Sequence, residues 1–363
     1  MPIPDVIVVG GGLIGLATAR ELQRRGLRVT LLERGRVGQE ASWAGAGMLA
    51  AMALPDGHAL RPLATASAAL YPDFIAELRA ETGMSVELGQ GGTLALTPHD
   101  AGTPITSAEA KILVPGLVDA AFEEKTSATF LRDDHYVDNR QLLTALRRAV
   151  ELRGVRIEEE CSVRRVLTVG GACSVETNRG VRSTGQLVIA AGAWAGEITT
   201  PAGVYPVQPR KGQMVAFRPS AARLTRVLVA REVYLVPRRD GRVLAGATLE
   251  DVGFNRTVLP EVTATLRGHA MRLLPALAAA DLEESWAGFR PGTPDGLPLL
   301  GEGQVAGLWL ATGHFRDGIL LTPVTAAIMG DLLTGEAPGH DLTAFRPDRF
   351  FGASTQAHIG GMP

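Results

Sequence analysis

The sequence predicts an α/β protein of two interleaved domains, and three observations carry that reading. A short β-branched run, Val6–Val9, meets a glycine turn, an apolar-periodic helix over 13–25 and a second strand over 28–32, a βαβ unit of about thirty residues. Strand-then-glycine signals of the same kind return far downstream, at 187–192 and 308–313. The 363 residues amount to two domains at roughly 150 residues each, yet no linker, repeat or low-complexity stretch divides them.

In the first unit, Gly10, Gly12 and Gly15 spell G-x-G-x-x-G between strand and helix. The first glycine allows the tight turn, the second lets backbone approach a pyrophosphate, and the third lets helix and strand pack closely. The helix N-terminus then stabilises phosphate charge. Glu33 closes the second strand 18 residues after Gly15, where a carboxylate can accept hydrogen bonds from ribose hydroxyls. An acid there favours a dinucleotide without a 2′-phosphate, although the adjacent Arg34 works the other way. The fingerprint does not decide between FAD and NAD. The small-residue loop over 41–48 either permits close backbone approach to a flat ligand or is an ordinary flexible loop.

The later elements follow in order. Residues 59–81 read as an amphipathic helix, 86–88 and 93–97 as short strands, and 98–137 as irregular. A helix over 141–153 leads through Gly154 to a strand at 155–158. Segments 163–169 and 173–177 form a hairpin over Gly170-Gly171, and 187–191 and 204–217 are strands. Segments 233–236 and 242–247 flank Asp240-Gly241, a hairpin signal. Residues 260–277 are helical, 308–312 form a strand, and a helix is expected to start near Asp317.

Composition narrows the function classes. Lys+Arg is 36 and Asp+Glu is 38, a net charge of −2, which leaves no electrostatic footprint for nucleic acid or an anionic membrane. Lysine occurs only at 111, 125 and 211, a bias toward arginine and not a basic patch. No run reaches the roughly 20 apolar residues of a spanning helix. No charged region precedes the first apolar strand, so a signal peptide is not expected and the cytoplasm is the expected compartment. Cys161 and Cys173 cannot build a disulfide framework or a structural zinc site. They read as a reduced pair, with a single disulfide as the alternative. The seven histidines lack H-x-x-x-H spacing, and there is no G-x-S-x-G and no C-x-x-C.

Five segments, in this order, resemble the D-amino-acid-oxidase class of FAD-dependent oxidoreductases. They are Gly10 to Gly15 with Glu33, the loop 42–48, Ala190-Ala191-Gly192-Ala193-Trp194, Trp286-Ala287-Gly288-Phe289-Arg290-Pro291-Gly292-Thr293, and Gly313-His314-Phe315-Arg316-Asp317-Gly318-Ile319. The last two are far more specific than the nucleotide fingerprint. The resemblance runs from residue 5 to about 349 and is strongest to glycine oxidases of the thiamine-biosynthesis type. It implies a glutathione-reductase-type Rossmann FAD domain from 1–50, 139–200 and 296–363, interleaved with an antiparallel-sheet substrate domain from 51–138 and 201–295. It also implies oxidation of glycine, and of sarcosine or small D-amino acids, to an imine and then to glyoxylate or a 2-oxo acid and ammonia. The resemblance further implies that O2 becomes H2O2, that dehydroglycine is supplied for thiazole synthesis, and that the enzyme is a homo-oligomer, often a homotetramer in the family. The covalent-flavin relatives use a C-terminal cysteine that neither Cys161 nor Cys173 can be, so FAD is expected to be non-covalent.

The resemblance places site residues one by one. Gly10, Gly12, Leu13, Ile14, Gly15, Glu33, Arg34, Ala41, Ser42, Ala46, Gly47, Met48 and Gly192 fall on FAD-contacting stretches. Val163 falls where a backbone amide and carbonyl hold the adenine, and His314, Phe315, Arg316, Asp317, Gly318, Ile319 and Leu320 fall along the flavin ring. Arg290 matches the arginine that binds the substrate carboxylate, Tyr234 the tyrosine that helps it, and Arg316 the arginine whose carbonyl lies near the amine. Glu232 stands where the best-known glycine oxidases have a histidine and Leu249 where they have a methionine, and both are expected to bear on the pocket wall and so on substrate preference.

The residue types suit that chemistry. Breaking a Cα–H bond as hydride needs an electron sink, which flavin N5 is. A guanidinium fork orients a carboxylate through two parallel hydrogen bonds. No general base is needed when the amine binds neutral, and His314 reads as a structural donor. Local sequence alone allows plainer roles: Arg290 as a loop arginine paired with Asp295, Tyr234 as a half-buried strand residue, Arg316 as a surface residue, and 313–319 as a turn capped by Asp317. A D-amino-acid dehydrogenase, a secondary-amine oxidase and a catalytically silent FAD-binding subunit stand as alternatives to the oxidase. The joint presence of Arg290 and Tyr234 speaks against the silent subunit.

Overall fold

The computed structural model describes residues 3–97, 99–118, 121, 128–169, 172–219 and 224–351. The fold is α/β, with mixed parallel and antiparallel sheets. The strand Val6–Val9 is buried throughout and pairs in parallel with Val29–Leu32 on one side and Gln186–Ile189 on the other. Arg156–Glu158 and Leu308–Thr312 extend this parallel sheet outward, and Leu299–Glu302 closes it with an antiparallel edge. Successive side chains point to opposite faces. Val6 and Val8 pack against helices Leu13–Arg24, Arg61–Thr82, Asn139–Leu152 and Thr322–Thr334. Ile7 and Val9 pack against Val166, Cys173 and Val175 of a three-stranded sheet made of Val163–Val169, Ala172–Thr177 and Gly180–Thr184. Both faces are covered, so the strands read as continuous apolar runs.

A second sheet of eight strands runs Asp281–Gly292, Gln208–Arg218, Val243–Gly246, Tyr234–Pro237, Val227–Val229, Thr93–Ala95, Ala128–Leu131, Thr103–Ile105. It is antiparallel except for one parallel pair, Val227–Val229 with Thr93–Ala95. Its longest ladder, at one edge, pairs Gln208 with Gly292 and Arg210 with Arg290. A small sheet of Met48–Leu49, His135–Val137 and Leu88–Gly89 lies where the chain passes between the two larger ones.

Several elements depart from the sequence reading. The stretch 98–137 holds the strand Thr103–Ile105, the helix Ser107–Leu113 and the strands Ala128–Leu131 and His135–Val137. That helix opens on a capping box, in which Thr106 and Glu109 satisfy each other's backbone amides. The helix expected near Asp317 begins at Thr322, with Pro323 in its first turn. The hairpin strands at 163 and 172 pair as read, while Gly170-Gly171 lies outside the described residues. Both cysteines are free and buried. Among the described residues no helix is long and apolar enough to cross a membrane.

Ion pairs around one buried arginine tie the helix layer together. The Arg20 guanidinium, 3% exposed, bonds Glu81 and Glu77, and Arg153 bonds Glu81 at 2.7 Å. Burial alone would raise the Glu81 pKa, but hydrogen bonds from Arg20 and Arg153 hold it at about 2, against an ordinary 4.5. A depressed carboxyl pKa adds stability that is complete above the unfolded value and lost as pH falls through the folded one. Glu81→Gln is therefore expected to lower the urea midpoint at neutral pH and to flatten its decline from about pH 5 to about pH 2. Urea titrations of both proteins across that range check it.

Candidate active site

One large cavity of about 980 Å³ opens along the carboxyl ends of the parallel strands and reaches the eight-stranded sheet. Its first wall is the glycine turn. Gly10 has φ +112°, and a Cβ there would stand 2.3 Å from the Ala190 carbonyl oxygen. A Cβ at Gly15 would stand 1.9 Å from Gly10 O, so the helix can approach the strand only because that position is glycine. Glu33 is 7% exposed, and its Oε2 accepts the Gly11 amide at 2.7 Å while Oε1 accepts the Gly35 amide at 2.8 Å. Burial raises its pKa against the pull of those amides. Each oxygen keeps a second lone pair for a hydroxyl. Arg34 stacks on the Trp194 ring at 3.7 Å and pairs with Glu40 at 2.7 Å.

The small-residue loop is held through its carbonyls. Asn139 Nδ2 donates to the carbonyls of Ser42 (2.7 Å) and Trp43 (3.1 Å). Trp286 Nε1 donates to that of Ala44 (2.9 Å), and Arg238 Nη2 to that of Ala46 (2.8 Å). Arg238 also donates to Asn139 Oδ1 at 3.0 Å. The Ser42 hydroxyl accepts the Leu13 amide at 3.0 Å, which ties the loop to the start of the first helix. Gly47 has φ +76°, and a Cβ there would stand 1.9 Å from Val137 O.

At the other end stand Arg290, Tyr234 and Arg316. Arg290 lies within the strand Asp281–Gly292, not on a loop. Its guanidinium covers Gly212, where a Cβ would stand 2.4 Å from Nη1, and Nη1 donates to Thr248 O at 3.1 Å. Asp295 pairs instead with Arg349 at 2.8 Å. Among the described residues no carboxylate pairs with Arg290. Burial lowers its pKa, the Tyr234 hydroxyl opposes that shift and the Arg316 charge adds to it. Burial likewise raises the Tyr234 hydroxyl, which stays protonated at neutral pH. Arg316 is exposed on the cavity rim, as are Glu232 and Leu249.

The turn between them is fixed from behind. Phe315 takes a left-handed φ of +46°, rare for a bulky residue, and its amide donates to Pro291 O at 2.9 Å. Ser67 Oγ donates to Leu320 O at 2.6 Å, and the Tyr71 hydroxyl donates to Ile319 O. Those partners hold the chain in a turn and delay the helix to Thr322. Asp317 caps no helix. Burial raises its pKa to about 6, against the charges of Arg316 and His58. His314 is buried against Thr325 at 3.1 Å, and burial lowers its pKa to about 3, so it is neutral at ordinary pH.

Of the residues named from sequence, Gly10, Gly12, Ile14, Glu33, Arg34, Ala41, Ser42, Ala46, Gly47, Met48, Val163, Gly192 and the run from His314 to Ile319 all line this cavity. Leu13, Gly15 and Leu320 stand behind its wall: Leu13 and Leu320 are 1% exposed in the core, and Gly15 packs on Gly10. The sequence reading missed Asn139, Arg238, Gly212 and Thr248. Arg238 in particular sits in Arg238-Arg239-Asp240-Gly241, which has the composition of a solvated hairpin turn, yet its side chain is 3% exposed.

A family model described as FAD dependent oxidoreductase (DAO) matches residues 5–332. The chain belongs to that family. FAD is its cofactor, and the cavity suits it: the volume is at the upper end for ligand pockets, and the Gly10 and Gly15 positions admit no side chain. The oxidoreductase is 38% identical to the glycine oxidase of Pseudomonas aeruginosa over 94% of its own length and 98% of that protein. It is 39% identical to the bifunctional protein ThiO/ThiG of Synechocystis, of which it spans 54%. The crystal structure of glycine oxidase from Geobacillus kaustophilus matches it with a TM-score of 0.91 at 33% identity, over 97% of this chain and all of that one.

The carbonyl clamp yields an expectation. Removing a partner from a buried polar group costs about 1–3 kcal/mol. Asn139→Ala frees the Ser42 and Trp43 carbonyls and strips Arg238 of an acceptor, so it is expected to weaken FAD binding about tenfold or more. Fluorescence titration of the apoprotein with FAD checks this.

Proposed function

We propose that this oxidoreductase is a glycine oxidase: glycine, with sarcosine or a small D-amino acid as lesser substrates, is oxidised to its imine. Water then releases glyoxylate (or the 2-oxo acid) and ammonia, and O2 is reduced to H2O2. The observation that carries this reading is Arg290, a half-buried, largely desolvated guanidinium that lines the cavity over Gly212 with no carboxylate partner among the described residues. A largely desolvated charge of that kind favours a counter-ion, and a substrate carboxylate is a fitting one.

On this reading Gly10, Gly12, Glu33, Arg34, Val163 and the loops at 41–48 and 313–319 hold FAD non-covalently. When bound, FAD supplies the two-electron acceptor for the Cα–H bond and hands those electrons to O2. Arg290 receives the substrate carboxylate, and the protonated Tyr234 hydroxyl donates to the same group. The Arg316 carbonyl accepts from the amine. Together these contacts fix Cα in one orientation, which lowers the entropic part of the barrier. His314 is neutral and takes no proton. Residues 1–50, 139–200 and 296–363 form the FAD-binding domain, and 51–138 and 201–295 the substrate domain. The product imine of glycine is the species that thiazole synthesis consumes, and the ThiO/ThiG relatives support that placement. We also propose a homo-oligomer in the cytoplasm, where the two free cysteines stay reduced.

The test is anaerobic. Glycine is expected to bleach the flavin absorbance faster than sarcosine, D-alanine or D-proline, and admitted air is expected to restore colour with formation of peroxide. Bleaching without prompt recovery in air would make the enzyme a dehydrogenase, and flavin that no amine bleaches would defeat the reading. Loss of one partner of a buried charge pair costs about 3–5 kcal/mol. Arg290→Ala is therefore expected to lower kcat/KM for glycine by roughly a hundredfold or more with FAD still bound; steady-state assays and the flavin absorbance of the loaded protein check this.

A further inference from the structure

Lys211 is one of three lysines in a chain that otherwise uses arginine, and its side chain is only 2% exposed. It lies one residue before Gly212, the floor beneath Arg290. Its Nζ donates to Thr257 O at 2.8 Å and pairs with Glu250 Oε2 at 3.1 Å. Lys211 and Glu250 also exchange backbone hydrogen bonds, of 2.9 and 3.0 Å. The other carboxylate oxygen of Glu250 accepts from the Thr248 hydroxyl and, at 2.8 Å, from Gln213 Nε2. The Gln213 amide donates back to the Thr248 hydroxyl at 2.9 Å, and Gln213 Oε1 accepts the Leu259 amide at 2.8 Å. Burial alone would raise the Glu250 pKa, but its three donors hold it below the usual range, so the group is charged at neutral pH.

This network ends on the active site. The residue it fixes, Thr248, gives its carbonyl to Arg290 Nη1 at 3.1 Å. Among the described residues Thr248 gives that guanidinium its one backbone acceptor and the Tyr234 hydroxyl flanks it, so its aim depends in part on where the Thr248 carbonyl stands. An ammonium suits the buried end of the network because it is a compact point charge with three donors, where the wider guanidinium fork would need more room.

We propose that the Lys211–Glu250 pair positions Arg290, by fixing the Thr248 carbonyl from which the guanidinium is aimed at the substrate carboxylate. Neither Lys211 nor Glu250 touches substrate. The inference rests on the carboxylate role proposed for Arg290.

The test uses the flavin-loaded enzyme and acetate, a carboxylate that cannot be oxidised as an amine, with its affinity read from the flavin spectrum. Two variants are measured, Glu250→Gln and Thr248→Val; the second breaks the link while leaving both charges in place, so it serves where the first does not fold. Each is expected to weaken acetate binding and raise the glycine KM about tenfold, while flavin reduction at saturating glycine and FAD content stay within about twofold. A merely structural role would lower the thermal midpoint without that split. Acetate affinity within about twofold of the unaltered enzyme, in a series where Arg290→Lys does weaken it, would overturn the positioning role. Unchanged acetate affinity in Arg290→Lys would overturn the carboxylate role itself and this inference with it.

Discussion

A positive charge stands half-buried in the wall of this protein's cavity with no carboxylate paired to it among the described residues, and much of the site's construction follows from that. Holding the Arg290 guanidinium in place takes a glycine below it, a backbone carbonyl at one nitrogen and a phenol alongside. None of these neutralises it. A side chain at Gly212 would fill the space it occupies, and a carboxylate in range would cancel the cavity's attraction for an anion. The long ladder of Gln208–Arg218 with Asp281–Gly292 supplies both constraints, since the glycine and the arginine come from its two strands.

The opposite end of the cavity works by denial of space. Gly10 and Gly15 let a strand, a helix and the Ala190 segment meet at distances no other residue permits. The loop at 41–48 is then fixed by donors aimed at its carbonyls, drawn from the helix Asn139–Leu152, the hairpin at Arg238 and the strand carrying Trp286. Three elements distant in sequence must be folded before this loop has its shape. A ligand lying along it is therefore in contact, at one remove, with both large sheets.

How far the sequence was legible depended on whether a residue's part is local. The strands Val6–Val9 and Leu308–Thr312 are plain because burial on both faces leaves an uninterrupted apolar run. Glycine positions and the turn around His314 could be read because a turn needs few neighbours. The short elements in 98–137 were missed because strands of three or four residues and a helix of seven span too little of a period to register. The helix start was misplaced by five residues, since the groups that hold the preceding turn open, Ser67 and Tyr71, lie some 250 positions away. Arg238 and Asn139 act on carbonyls of another segment, and composition carries no trace of that. Arg290 was placed by resemblance alone. Its own surroundings suggested a partner, Asp295, that belongs to Arg349.

The order of strands in the parallel sheet also bears on how the chain is made. Its centre, Val6–Val9, leaves the ribosome first, but the neighbour Gln186–Ile189 is synthesised much later, and Leu308–Thr312 later still. Between them the nascent chain lays down the strands of the other sheet in two separate instalments. Neither sheet can close during most of translation, so the first βαβ unit emerges with an open apolar edge that waits for its partners. That edge stays open until Leu308–Thr312 is made, and a premature stop before residue 308 leaves the parallel sheet incomplete although every strand of the eight-stranded sheet is present.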